Sequence, residues 1–223
     1  MNLRPCAQRP PILNGLSDGA ADEVSVGQLL LPGMMAYARV LNPARRRDAD
    51  IRWDEIGAPQ VDSTTQWPEI AAAGHVDSRD PWEPYSGTVD AAVANRLAQL
   101  LVTRTTTPDE CFFLVWDGYG GLRPEVRTAA TVEVAPHSRR MHILSGRVTD
   151  ATQSIETVPS GHPLGRSPMW WIPGDGAWCV GNDIYGRSVF VGGTAEAVSA
   201  IVADPLLEAY VADADQTLAN KVY

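Results

Sequence analysis

The sequence predicts an α+β fold: a mostly antiparallel sheet with helices packed on one side, in a single domain. Three observations carry this reading. The clearest helical stripe stands early, across residues 88–104. Strand-like segments then follow in a block, from CFFLVW at 111–116 to SVFV at 188–191. A further helix comes only after them, so the order lacks the alternation of βαβ units that a parallel sheet requires.

Composition sets the frame. The chain has 223 residues, 44% hydrophobic and 20% charged. That is a globular composition, and a chain of this length buries roughly 70–75% of its unfolded surface without staples. Residues 26–223 are expected to form the domain, behind a flexible leader at 1–25. Within MNLRPCAQRPPILNG the only apolar pair is Ile12-Leu13, far short of the about 7–15 apolar residues of a signal-peptide core. Neither 29–38, broken by Pro32-Gly33, nor 111–116 approaches the ~18 apolar residues of a membrane span. No membrane partner is expected.

The elements read as follows. Residues 34–41 alternate as a strand, with Met35, Tyr37, Arg39 and Leu41 on one face. A charged turn from Pro43 to Asp50 carries Arg45, Arg46 and Arg47. RWDEIGA at 52–58 and QWPEIAA at 66–72 share a W-x-E-I-x-A pattern, which reads as two similar short helices, Pro68 suiting a first helical turn. Residues 75–87 lack periodicity and form a loop. Thr88 is expected to cap the best helix, whose stripe is Val89, Val93, Leu97, Leu100 and Leu101.

The six-residue apolar run 111–116 predicts a strand buried on both faces. Further strands are expected near 131–135 and 140–145. A meander follows at 169–172, 177–182 and 188–191, punctuated by PGDG and DIYG. Thr194 should cap a helix over 195–203, and Asp204-Pro205 should open a last short helix through Tyr210.

The stretch PMWWIPGDGAWCVGNDIYGRSVFVGGT, with DPLLEAY after it, resembles a family of uncharacterised proteins of high-GC bacteria. The shared elements are Trp170 to Trp178, Val191 to Thr194 and Asp204 to Glu208; 107–120 and 34–43 are similar as well. This resemblance implies an intact single domain and supplies no activity to carry over. Gly181, Asp183 and Gly186, ahead of Val189–Val191, are faintly similar to the strand–turn–strand of SUKH-type immunity proteins.

Charge and chemistry narrow the function. The formal net charge is −9 and the pI about 4.8, and 17 of the 18 basic residues are arginine. Nucleic-acid binding needs a basic surface, so no nucleic-acid partner is expected. Cys6, Cys111 and Cys179 form no CxxC, which fits a reducing, cytoplasmic location. No GxxxxGK[ST], complete GxGxxG or GxSxG occurs. His137 and His142 are spaced to fall on opposite faces of a strand, and His75, Asp77 and Asp80 share a loop that fixes no ligand geometry. His162 stands alone between Gly161 and Pro163. No metal, cofactor or catalytic residue is therefore assigned. Asp175 and Asp183, at the two ends of one strand, are too far apart for joint acid–base work.

Aromatic residues remain. Trp82 and Tyr85 sit in a proline-framed loop of the kind that displays interface anchors. Trp170 and Trp171 must point to opposite faces of a strand. The candidate binding residues are Trp82, Tyr85, Tyr119, Trp170 and Asp183. The expected function is a non-catalytic protein-binding module of the immunity or accessory kind. The alternative is a small-molecule binder, or an unrecognised enzyme, with its pocket between the sheet and the 88–104 helix. Self-association through the early arginines and the acidic tail is the third reading.

Overall fold

In the computed structural model, described here for residues 2–19, 23–47, 49–56, 60–74, 79, 81–157 and 165–218, one large sheet organises the chain. Its strands are β1 (Arg4–Pro5), β2 (Ala36–Leu41), β6 (Cys111–Trp116), β7 (Thr131–Val134), β8 (Arg139–Gly146), β9 (Trp170–Pro173), β10 (Cys179–Gly181), β11 (Ser188–Gly193) and β12 (Ala209–Ala212). The order runs β1-β8-β6-β9-β10-β11-β2-β12, with β7 beside β1 on the outer edge of β8. Each of these pairings is antiparallel. A small second sheet joins β3 (Ala44–Arg46) to β4 (Ala49–Ile51) and β5 (Glu83–Pro84). The α+β expectation holds.

The helices are α1 (Val26–Leu29), α2 (Trp67–Ala73), α3 (Ala91–Leu101) and α4 (Ala195–Val202). The two longest, α3 and α4, pack against each other. Val93, Leu97 and Leu101 of α3 are buried, as its stripe requires. Its cap differs from expectation. Asp90, not Thr88, accepts from the N–H groups of Ala92 (2.8 Å) and Val93 (3.4 Å), because Thr88 is drawn away by Ser167, whose N–H donates to its hydroxyl at 3.0 Å. Thr194 does cap α4, accepting from Ala197 at 3.2 Å.

Four other expectations are corrected. The leader is part of the body: β1 pairs with β8, Leu3, Leu13 and Leu16 are buried, and Ala130 N–H donates to the Cys6 carbonyl at 2.7 Å. The charged stretch 43–50 is a hairpin, β3–β4, closed by Arg45 bonding both oxygens of Asp50. The segment after Asp204 forms a turn and then β12, not a helix, since Ala209–Ala212 pairs along the whole of Val40 to Tyr37. Met35 lies outside β2 and is exposed. Residues His75, Asp77, Asp80 and His162 fall outside the described residues.

Two apolar clusters result. The larger takes in most of the sheet with α1, α3 and α4; the smaller joins Leu41, Ala44, Trp53, Val61, Trp67 and Ile70. The two W-x-E-I segments form this smaller core: a 3-10 turn at Trp53–Ile56 and helix α2 bring Trp53 and Trp67 edge to face at 5.3 Å. Strand β2 divides the clusters, giving Ala38 and Val40 to one and Leu41 to the other. Asn42, fully buried at the end of β2, ties the next layer on: its amide donates to the carbonyls of Tyr85 and Thr88 and its oxygen accepts from Asp90 N–H, all at 2.9 Å.

Candidate functional site

Arg39 lies within β2, between Ala38 and Val40, only 4% exposed. A charge in that position must be hydrogen-bonded to be tolerated. Strand register puts Phe190 opposite it on β11 and Ser188 opposite Leu41, so Arg39, Phe190 and Ser188 share one face. Arg39 Nε donates to Ser188 Oγ at 2.9 Å, and Nη1 donates to the carbonyls of Ser63 (3.0 Å) and Thr65 (2.7 Å). Those carbonyls are aimed by a tight turn in which the Asp62 carboxylate accepts from both N–H and both hydroxyl groups of Thr64 and Thr65.

Nη2 of Arg39 has no hydrogen-bond partner among the described residues, nor does Arg39 form an ion pair among them. Burial lowers its pKa to about 10, opposed by the fields of Asp62 and Glu69. The guanidinium is still protonated at neutral pH.

This arginine lines a cavity of about 480 Å³ between β2–β11 and the smaller core. Trp53, Trp67 and Phe190 supply apolar walls, and Arg39 lies 5.8 Å from the Trp53 ring and 6.0 Å from that of Phe190. Ser188 and Asn182 line the cavity too. Ser188 Oγ accepts from Arg39 and from Asn182 Nδ2 (3.3 Å), which leaves its own proton free to donate. The size falls within the about 300–1,000 Å³ of small-molecule sites, and polar side chains, Thr64, Gln66, Asn182 and Gln216 among them, line it in at least equal measure with the aromatic rings.

No family model, curated protein or solved structure matches this chain. Function is therefore read from the cavity itself.

The five candidate residues do not converge. Asp183 lines the large cavity, but its carboxylate accepts from Arg139 Nε and from Ile184 N–H, each at 2.8 Å. Tyr85 lines a second cavity of about 230 Å³ with Arg45, Thr88, Asp90 and Ser167, beside the start of α3. It adjoins the first turn of α3, with no residue of the large sheet in its lining, and is smaller than the Arg39 cavity. Tyr119 donates to the Gly87 carbonyl at 2.7 Å, and its ring meets Trp116 edge-on at 5.2 Å and Arg166 at 4.6 Å; burial pushes its hydroxyl up to about 12. Trp170 is completely buried, as is Trp171, so neither is on a surface. Trp82 is half-buried against the smaller core, with the Arg46 guanidinium 4.4 Å above its ring.

The acidic tail is similarly internal in part. Asp204 pairs with Arg96 at 2.5 Å, and Glu208, 5% exposed, accepts from the N–H groups of Trp53 (2.8 Å) and Asp54 (3.1 Å). Burial raises the Glu208 carboxyl above its ordinary range, against those two bonds.

Sequence reasoning missed Arg39, Ser188 and the paired tryptophans as a site. Two signals were present: a lone charge inside the apolar strand AYARVL, and two tryptophans at matched places in the W-x-E-I segments.

Proposed function

We propose that the chain binds a small molecule in the 480 Å³ cavity and holds it without transforming it. The observation that carries this reading is Arg39: buried, protonated at neutral pH, and presenting an Nη2 edge with no described hydrogen-bond partner in a cavity walled by aromatic rings. Its Nη2 is not among the buried unpartnered donors and so reaches the open space of the cavity, where a ligand oxygen would form a charge-assisted hydrogen bond in place of water. Binding rather than catalysis is favoured because neither His137 nor His142 lines the cavity, and its serine is held by Arg39 and Asn182.

The test is a thermal-shift screen of small aromatic acids and neutral analogues. A ligand at about a hundredfold its Kd adds about 2.7 kcal/mol, or a rise of roughly 5 °C or more in Tm for a domain of this size. Thr64→Trp, which places bulk on an exposed lining residue, should abolish the shift. A screen with no shift in any compound removes the reading.

A protein-binding role is the second reading, and a separate observation favours it. Strand β12 ends the sheet order, and Val211 on it and Leu206 before it are 64% and 74% exposed. Open edges with apolar side chains are templates for pairing with another chain, a second copy included. Light scattering of the wild type and of Val211→Lys distinguishes the two: an oligomer lost in the variant supports edge pairing, and a monomer in both removes self-association by this edge.

A further inference from the structure

We infer that the ligand is a monocarboxylate carried on a flat body with an aromatic face; this rests on the small-molecule reading above. Charge accounting around the cavity leads to it. Four charged residues line the cavity: Arg39, Glu69, Asp183 and Arg187. Asp183 is paired with Arg139 at 2.8 Å, and Arg187 with the exposed Glu83 at 3.2 Å, while Arg187 Nε is buried without a hydrogen-bond partner among the described residues. Glu69 is exposed on the first turn of α2, where its carboxylate reaches back to the Gln66 N–H at 3.4 Å. The one buried cation without a carboxylate partner among the described residues is Arg39. A single buried positive charge calls for a single negative one. A dianion would bring a second charge opposed by Asp62 and Glu69, whose fields already bear on Arg39.

Geometry agrees with charge. Arg39 has already committed Nε to Ser188 and Nη1 to two carbonyls, so it cannot offer the two-pronged fork that grips a phosphate. What it offers is the Nη2 edge, with the Ser188 hydroxyl proton on the same strand face. Two donors from different residues suit the two oxygens of one carboxylate. Trp53, Trp67 and Phe190 then favour a ring over a flexible chain, since aromatic faces and edges reward flat partners.

Isothermal titration of the full chain with three probes tests the inference: indole-3-acetate, its methyl ester, and phenyl phosphate. The expected result is binding of the acid at least about tenfold tighter than the ester, the usual worth of a charge-assisted bond, and tighter than the phosphate. Arg39→Met should erase the difference between acid and ester. The comparison among probes needs only the native protein, so it decides the matter even if that variant fails to fold. An ester that binds as well as the acid, or a phosphate that binds better, overturns the carboxylate inference while leaving a small-molecule site in place. If neither these probes nor the neutral aromatics of the screen bind, the inference and the reading beneath it fall together.

Discussion

Arg39 Nε donates to Ser188 Oγ at 2.9 Å across the β2–β11 pair, with both residues buried. The pair are diagonal neighbours, Phe190 facing Arg39 and Ser188 facing Leu41. Removing the hydroxyl leaves a buried guanidinium N–H without its acceptor. Ser188→Ala should therefore lower stability by about 1–3 kcal/mol. Urea denaturation reads this as a lower midpoint at unchanged slope. A neutral result would mean that Arg39 finds another acceptor.

Asn42 holds three chain segments at once. Its amide reaches Tyr85 and Thr88, its side-chain oxygen takes Asp90 N–H, and its own carbonyl accepts from Trp53 Nε1 at 2.8 Å. Asn42→Ala strands the buried Thr88 carbonyl and Asp90 N–H and removes the part-buried bond to the Tyr85 carbonyl, so a loss of about 2–3 kcal/mol is expected. Equilibrium unfolding checks it. The smaller core and the start of α3 should loosen together, which amide hydrogen exchange would show.

The pH dependence has a definite sign at Asp204. The Arg96 guanidinium, with the Leu206 N–H, holds this carboxyl below its ordinary value of 3.8. A carboxylate lowered in the folded state stabilises at pH above the unfolded value, and that contribution fades as pH falls through the lower folded value. Asp204→Asn should thus be less stable than the wild type near neutral pH. The gap between the two should close in acid below 3.8. A gap that is constant with pH would assign the effect to packing instead.

The thiols should differ in reactivity. Burial raises the Cys179 thiol to about 12 and the Cys111 thiol well above its usual value, whereas Cys6 is only half-buried and less strongly shifted. Thiolate, not thiol, is the reactive species. A disulfide reagent at mildly alkaline pH should label Cys6 first in the native protein, with Cys111 and Cys179 appearing only on unfolding. Early labelling of either buried cysteine would contradict the core described above.

Trp82 tests the protein-binding expectation directly. Its ring is half-buried on the smaller core beneath Arg46. Trp82→Ala should cost about 1 kcal/mol of cation–π and packing energy and leave ligand-induced thermal shifts unchanged. A native pull-down in which this variant alone loses a stoichiometric protein would make Trp82 an interface anchor.

Local patterning determined much of this protein. CFFLVW had to be a strand buried on both faces, the 93–97–101 stripe had to be a helix with one apolar side, and the segments around 170–193 had to form a meander, because period and turn chemistry are properties of neighbouring residues. The W-x-E-I echo likewise marked two short helical segments. Tertiary structure decided the rest. The N-terminal residues read as a leader until Leu3, Leu13 and Leu16 find the core, and Ala209–Ala212 becomes a strand because β2 has an open edge beside it. The site shows the difference most clearly. Arg39, Ser188, Trp53 and the carbonyls of Ser63 and Thr65 are remote in sequence, and no spacing rule joins them. Only the pairing of β2 with β11, and the joining of α2 to Leu41 in the smaller core, makes one cavity out of them, since burial and charge compensation depend on which surfaces meet.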